Sequence, residues 1–198
     1  MNAIPPRPRS GGAHSTCFVQ TRSGACIDLL APDFSAVTLT DIATSLSRLP
    51  RFVGGTRGEH AYSVAQHSVF VAAVLLEWTG LRDLALAGLL HDVPEMVTGD
   101  IPSPVKRLLP AIAGLEERLL RAVYLRFGVP LNLLGHSTVW HADLVALATE
   151  KRDLLNRSAW PWLMRLPQPQ AAPLEEPWPA SLAHARFIAT AITLGLRP

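Results

Sequence analysis

The stretch LLHDVPEMVTGD (Leu89–Asp100) decides the fold of this 198-residue chain. It follows an apolar run with helical periodicity and places His91 and Asp92 side by side, with Glu95 and Asp100 close behind. Ionisable groups are costly to bury without a partner, so a His-Asp pair at the end of an apolar run is unusual. A divalent metal binds both an imidazole nitrogen and a carboxylate oxygen and would remove that cost. Further ligands are therefore expected elsewhere in the chain.

Length and composition indicate one globular domain. The chain is 48% hydrophobic and 17% charged with a net charge of +2, which gives no bulk electrostatic case for binding nucleic acid or a membrane surface. Its first residues contain no apolar signal segment, and no apolar run is long enough to span a bilayer. We therefore expect a cytoplasmic protein with a flexible tail over residues 1–14 and a single domain over residues 15–198.

Apolar periodicity predicts an all-α body that follows a small N-terminal β-hairpin. The predicted strands are Thr16–Gln20 and Ala25–Leu30, on either side of a turn. The predicted helices are bounded by capping residues, glycine or proline, and are Ile42–Leu49, Tyr62–Trp78, Arg82–His91, Leu115–Phe127, Ser137–Asn156 and Ser181–Leu196. Between them we expect a glycine-rich loop over Arg51–Gly58 and an ordered or semi-ordered, tryptophan-bearing loop over Pro161–Pro179.

Two further residues complete a candidate metal site. His67 lies on the buried stripe of the second predicted helix, and Asp143 lies on or beside the apolar stripe of the fourth long helix. Taken singly, each candidate has an ordinary alternative: a hydrogen-bonded core histidine for His67, a helix-end pair for His91 and Asp92, and a solvated acid for Asp143. Together, two imidazoles and two carboxylates from three helices suit a borderline divalent ion with positions left for water and phosphate.

These residues resemble the HD-domain metal-dependent phosphohydrolases, and within them the short bacterial branch that contains the 5′-deoxynucleotidases. The shared motif is present as HDVPEMVTGDIPSPVK (His91–Lys106). The resemblance implies an HD-domain helical bundle in which His67, His91, Asp92 and Asp143 bind one divalent transition metal ion. Mn, Co, Ni, Fe and Zn are all compatible with this ligand set, and Mg is a further option.

The same motif suggests roles beyond the ligands. Glu95 follows Asp92 by about one helical turn and is the candidate to position the attacking water or to move a proton. By resemblance, Asp100 would accept a hydrogen bond from the sugar 3′-hydroxyl. Lys106, at the end of the motif, would support either the phosphate or only the fold.

The loop before the second helix is expected to contact substrate. Arg51 suits a phosphate clamp because a guanidinium binds two oxygens at once, with Arg48 and Arg57 as rivals. Phe52 could stack on a base or sugar, although a core phenylalanine is an equal alternative. The upstream segment also resembles a phage and bacterial subset of short HD proteins, some of which are deoxyadenosine triphosphate triphosphohydrolases. This subset often has a histidine where this chain has Gly55. A substrate contact made by that histidine would be missing here.

The expected function is a divalent-metal-dependent phosphohydrolase of nucleotides, specifically a 5′-deoxynucleotidase that releases orthophosphate from deoxynucleoside monophosphates. One alternative is a triphosphohydrolase that releases triphosphate from deoxynucleoside triphosphates, and another is a non-catalytic nucleotide-binding regulator. The expected partner is a small-molecule nucleotide bound by a homo-oligomer, without a nucleic-acid polymer or a membrane.

Overall fold

The computed structural model describes residues 17–162 and 164–197 as a mostly helical chain that begins with a two-stranded antiparallel hairpin. The predicted all-α fold with an N-terminal hairpin is confirmed, whereas the predicted tail over 1–14 lies outside the described residues. Among the described helices, none has the length and apolar composition needed to cross a membrane. The elements are β1 (Phe18–Gln20), β2 (Cys26–Asp28), α1 (Leu39–Leu46), α2 (Val64–Thr79), α3 (Arg82–Leu90), α4 (Glu95–Thr98), α5 (Ser103–Lys106), α6 (Pro110–Phe127), α7 (Ser137–Leu154) and α8 (Ala180–Thr193).

The hairpin is held on the helical body by its buried face and by its turn. Val19 of β1 pairs with Ile27 of β2, and the Ile27 side chain is fully buried. In the turn, Ser23 donates its backbone N–H and its hydroxyl to the Asp41 carboxylate of α1, at 2.9 and 2.8 Å. A two-stranded ribbon is marginal by itself, so these contacts with α1 stabilise it.

Helices α1 and α6 begin several residues earlier than the sequence predicted. α1 begins before the predicted start at Ile42, because the Thr38 hydroxyl accepts from the Asp41 N–H at 3.0 Å while the Asp41 carboxylate accepts from the Thr38 N–H at 3.1 Å. This reciprocal capping box fixes the helix start. α6 begins at Pro110 and not at Leu115, since proline fits the first turn of a helix, where its missing N–H has no partner to lose.

α2 lies at the centre of the helical body and packs against α3, α7 and α8. Its close contact with α3 depends on Gly88, because a Cβ at that position would collide with Leu75 of α2 and come within 3.2 Å of Val71. A larger residue at this position would require the Leu75 side chain to move aside. In this packing, His67 in the first turns of α2 lies beside His91, the residue that ends α3.

Residues 155–162 and 164–179, which we call the C-terminal strap, connect α7 to α8 without a helix or strand in their described part. Hydrogen bonds to the helices are made by residues in the second half of the strap. The Gln170 N–H donates to Thr149 Oγ1 of α7 at 2.9 Å, and the Trp178 N–H donates to Gln66 Oε1 of α2 at 2.8 Å. These bonds are those of an ordered loop, as the sequence predicted.

Candidate metal centre and active site

Helices α2, α3 and α7 bring the four predicted ligands together. His67 Nε2 lies 3.4 Å from His91 Nε2, 3.4 Å from Asp92 Oδ2 and 3.2 Å from Asp143 Oδ1. His91 Nε2 lies 3.2 Å from Asp92 Oδ1 and 3.9 Å from Asp143 Oδ1. Metal–ligand bonds of about 2.0–2.2 Å place neighbouring ligand atoms about 3 to 3.5 Å apart, so this spacing suits a single ion.

The four residues are not equivalent. His67, His91 and Asp92 form the tightest group, with ligand atoms that all lie within 4.8 Å of one another. Asp143 contacts both imidazoles but has the most exposed side chain of the four, at 31%. The cluster therefore consists of three closely spaced candidate metal ligands and a fourth candidate ligand, Asp143, that is more exposed.

In both imidazoles the second ring nitrogen is already engaged. His67 Nδ1 lies 2.6 Å from Glu150 Oε1, and His91 Nδ1 lies 2.6 Å from the Gly88 carbonyl oxygen. A carboxylate and a carbonyl only accept hydrogen bonds, so each Nδ1 donates and each neutral imidazole directs its Nε2 lone pair at the same point. Two such lone pairs 3.4 Å apart require a proton or a cation near them. Metal-binding histidines are oriented in this way.

Glu150 was not assigned a role from the sequence. It is fully buried on α7, and its Oε2 accepts from Arg51 Nη2 at 3.2 Å while its Oε1 accepts from His67. Burial alone would raise the pKa of Glu150, but Arg51 and His67 outweigh burial and lower it. A sequence signal existed, because Asp143 and Glu150 are seven residues apart and hence share one face of α7.

Arg51 lies in the site but is already bonded to two carboxylates. Its Nη1 lies 3.4 Å from Asp92 Oδ2, in addition to the bond between Nη2 and Glu150. The two rival arginines lie elsewhere: Arg57 donates to a carbonyl at the end of α7, and Arg48 lines a separate cavity beside the hairpin. Of the three, only Arg51 lines the cavity beside the ligands, where it orients Asp92 and Glu150.

The loop after Arg51 has an unusual backbone. Phe52 and Val53 have φ values of 54° and 56°, in the left-handed region that is costly for a β-branched residue such as valine. Phe52 lines the cavity with its ring centroid 5.5 Å from Arg51 Cζ. A Cβ at Gly55 would lie 3.2 Å from the Phe52 carbonyl oxygen, so a larger residue there requires a small shift. Strained residues of this kind concentrate at functional sites.

A cavity of about 550 Å³ opens beside the ligands, within the range of about 300–1,000 Å³ found for small-molecule sites. Asp92 and Asp143 form part of its wall, so a molecule in the cavity can reach the ligands directly. The predicted substrate contacts also line it, namely Arg51, Phe52, Asp100 and Lys106, together with Glu95. The cavity wall also contains residues for which the sequence predicted no role in the site, namely Arg107, Leu147, Pro161, Trp162 and Met164.

Glu95 has one oxygen bonded and one without a protein partner. Its Oε1 accepts from Lys106 Nζ at 3.2 Å, and Lys106 is in turn held by Glu116 at 2.9 Å. Its Oε2 is buried with no hydrogen-bond partner among the described residues. Burial raises the pKa of Glu95 to about 9, and Asp92 and Asp100 act in the same direction. A buried oxygen of this kind in a cavity wall is suited to bond substrate or water.

The donor set fits a divalent ion. Carboxylates with the charged form available outnumber guanidinium and ammonium groups at the described ligands and their immediate neighbours: the carboxylates are Asp92, Asp100, Asp143 and Glu150, against Arg51 and Lys106. A divalent cation would balance this excess of negative charge and remove the repulsion between the lone pairs of His67 Nε2 and His91 Nε2. Two imidazole nitrogens with carboxylate oxygens favour a borderline first-row transition metal.

The sequence of this chain is similar to one family model and to two bacterial proteins. A family model described as 5′-deoxynucleotidase YfbR-like matches residues 53–121, a stretch that contains His67, His91, Asp92 and Glu95 but not Asp143. The uncharacterized protein YfdR of Escherichia coli is 36% identical over 152 residues, which are 76% of this chain and 80% of YfdR. An uncharacterized protein of Rhodobacter capsulatus is 42% identical over 114 residues, covering 56% of this chain and 58% of the relative. The HD pair, its two neighbouring ligands and this similarity together show that the chain belongs to the YfbR-like family of HD-domain proteins.

Proposed function

We propose that the chain is a divalent-metal-dependent phosphohydrolase that releases orthophosphate from the 5′ position of deoxynucleoside monophosphates. The observation that carries the proposal is the convergence of His67 Nε2 and His91 Nε2 on Asp92 and Asp143, two carboxylates that line a cavity large enough for a nucleotide. The description of the matching family, 5′-deoxynucleotidase YfbR-like, supports the same chemistry.

Glu95 is the residue assigned to the attacking water. A divalent ion bound by the four ligands would supply a water of lowered pKa and neutralise charge on a phosphoryl oxygen. Glu95 is placed to orient a water through Oε2 and to accept a proton from it, while Lys106 fixes the carboxylate through Oε1. The negative charge of Asp92 helps to raise the pKa of Glu95. A metal ion bound to Asp92 would offset this charge and so favour the deprotonated form of Glu95, which this role needs.

The cations and the acid on the remaining polar wall are assigned to the phosphate and the sugar. Arg107 is an exposed cation at the cavity and is suited to bind phosphate oxygens as a bidentate donor. Arg51 is held by Asp92 and Glu150, so its main role is to orient these carboxylates. Asp100 lines the cavity, and burial raises its pKa despite the opposing effect of Arg51. It is assigned to accept the hydrogen bond from the sugar 3′-hydroxyl.

A second candidate is the release of triphosphate from deoxynucleoside triphosphates. One observation favours it: Lys106 and Arg107 are adjacent cations on the same cavity wall, and a longer phosphate chain could bind both. The monophosphate remains the first candidate because the matching family is described as a 5′-deoxynucleotidase.

A substrate panel tests both candidates. The purified chain is loaded separately with Mn, Co, Ni, Zn and Mg and incubated with deoxynucleoside mono- and triphosphates. Orthophosphate and free deoxynucleoside from the monophosphates support the first candidate. Tripolyphosphate from the triphosphates supports the second. No hydrolysis with any metal, despite measurable nucleotide binding, would overturn both and favour a non-catalytic regulator.

A further inference from the structure

The strap that follows α7 contributes part of the cavity wall. Pro161, Trp162 and Met164 of the strap line the same cavity as Asp92 and Asp143. They come from a segment with no regular secondary structure in its described part, whose later residues Gln170 and Trp178 are hydrogen-bonded to α7 and α2. The strap therefore takes part directly in forming the site.

Trp162 is held in place without being buried. The Lys151 Nζ of α7 lies 4.6 Å from the centroid of the Trp162 ring, a cation–π contact on one face of the indole. The residue remains 37% exposed while it lines the cavity. A fixed aromatic ring with accessible surface inside a cavity is the usual form of a stacking platform.

The residues that line the cavity fall into two chemical groups, which we call its polar side and its apolar side. The polar side carries the carboxylates and cations already described, and the apolar side consists of Phe52, Leu147, Pro161, Trp162 and Met164; Ile101, Pro102 and Pro104 also line the cavity, next to Asp100 and Lys106 in the chain. A nucleotide has the same two kinds of surface, with a phosphate and sugar hydroxyl at one end and a flat, weakly polar base at the other. Phe52 and Trp162 are the aromatic residues among the lining residues, so they are the surfaces on which a base in this cavity can stack.

We infer that the C-terminal strap is the nucleobase-recognition wall of the site, with Trp162 stacking on the base and Lys151 positioning the indole. The inference rests on the proposed function and names the part of the substrate that the strap selects. Met164 and Phe52 border the stack, which fits recognition by shape and stacking over recognition by hydrogen bonds to base edges.

The test compares a substrate with a base and one without. Trp162→Ala is assayed with deoxynucleoside monophosphates and with 2-deoxyribose 5-phosphate, which keeps the sugar and phosphate but has no base. For the nucleotides, KM is expected to rise about tenfold or more with little change in kcat, as expected for loss of one base–aromatic stack. For 2-deoxyribose 5-phosphate the change is expected to be much smaller. Trp162→Phe should recover much of the nucleotide KM.

Two more variants separate stacking by Trp162 from a general disturbance of the strap. Trp160→Ala is the matched control, because Trp160 lies on the same strap but is 84% exposed and is not among the lining residues. It should leave KM unchanged. Lys151→Met removes the cation–π contact and should raise the nucleotide KM less than Trp162→Ala does, again with kcat retained.

The outcomes distinguish this inference from the proposed function. Equal losses of Trp162→Ala on both substrates, or an equal loss in Trp160→Ala, would overturn the role of the strap and leave the phosphohydrolase intact. If the wild-type chain hydrolyses neither substrate, the proposed function fails. Calorimetric binding of a deoxynucleoside monophosphate to the wild type and to Trp162→Ala then decides the inference, since unchanged affinity contradicts it and weakened affinity supports it.

Discussion

The two sides of the cavity differ in how their side chains are positioned. On the polar side, the ligands come from α2, α3 and α7 or from the residues that end these helices, and buried partners fix their orientation. On the apolar side, the aromatic residues come from the strap and from the strained loop after Arg51, with Leu147 of α7 between them. Atoms that must meet within a few tenths of an ångström are thus on packed helices, and surfaces that need only approximate contact are on loops.

This difference predicts different consequences of substitution. Changes on the polar side should act on metal content and kcat, because they disturb the reacting groups. Changes on the apolar side should act on KM or on stability, because the strap has no regular secondary structure in its described part and is held by hydrogen bonds such as those of Gln170 and Trp178 and by cation–π contacts such as that between Lys151 and Trp162. Five predictions test this separation, from the largest expected effect to the smallest.

Removal of a ligand should have the largest effect. In Asp92→Ala or His67→Ala we expect the bound metal to be lost and kcat/KM to fall by at least about 10³-fold, since a metal supplies several kcal/mol of transition-state stabilisation. Elemental analysis and steady-state kinetics measure both quantities on the same sample. Full activity in Asp92→Ala would show that the cluster is not the metal centre.

Glu95→Gln should separate rate from metal binding. We expect the metal to be retained and kcat to fall by about 10²-fold or more, because the amide can still hold a water but cannot take its proton. Elemental analysis of the variant provides the control for metal content. A variant that loses its metal would instead make Glu95 part of the ligand set.

Glu150→Gln should weaken the metal site without removing a ligand. Glu150 orients His67 through Nδ1, and loss of such a partner lowers metal affinity by about 10–100-fold. Titration with a competing chelator measures the affinity. Glu77→Gln is the control, because Glu77 is an exposed carboxylate on the same helix as His67. Unchanged affinity in Glu150→Gln would remove it from the positioning residues.

Metal affinity should fall as the pH is lowered. In the metal-free protein the pKa of His67 is raised, because contacts with Glu150, Asp143 and Asp92 outweigh the lowering effects of burial and Arg51. For His91, burial lowers the pKa, but Asp92 outweighs it and the net shift is also upward. Protons therefore compete with the metal ion for both Nε2 atoms already at pH values above the ordinary histidine pKa of about 6.5.

Calorimetric titration of the metal at several pH values, in buffers of different ionisation enthalpy, measures the protons released on metal binding. Affinity independent of pH between about 6 and 8 would contradict it.

Thr149→Val should affect the strap alone. Thr149 Oγ1 accepts the Gln170 N–H, and its loss leaves a partly buried donor unpaired at a cost of about 1–3 kcal/mol in the free energy of unfolding. Thermal unfolding measures the loss, and metal content should stay at the wild-type level. Loss of metal in this variant would show that the two sides of the cavity are not independent.

Much of the polar side was predictable from the sequence. His91, Asp92, Glu95, Asp100 and Lys106 lie within one short motif, so local geometry keeps them near one another. The longer helices follow from apolar periodicity, but the short helices α4 and α5, which carry Glu95 and Lys106, were not predicted. The errors at the starts of α1 and α6 have local causes, a capping box and a proline in the first turn. Asp143 was found through its position on a helix stripe.

Other contacts could not be predicted, because they join residues far apart in the chain. The bond between His67 and Glu150 depends on how α7 lies against α2, and no local pattern encodes that angle. The choice among Arg48, Arg51 and Arg57 was equally open, since all three belong to one region of sequence and only packing directs Arg51 to the ligands.

The sequence by itself determined the helical class, the HD motif and the kind of ion that its ligands suit. These properties depend on side-chain chemistry and on the fixed repeat of the α-helix, both of which are local. Only the tertiary structure decided that Glu150 and Arg51 orient the ligands and that Trp162 of the strap reaches their cavity. Such contacts depend on how closely helices pack, as Gly88 permits between α2 and α3, and on where a long loop is bonded.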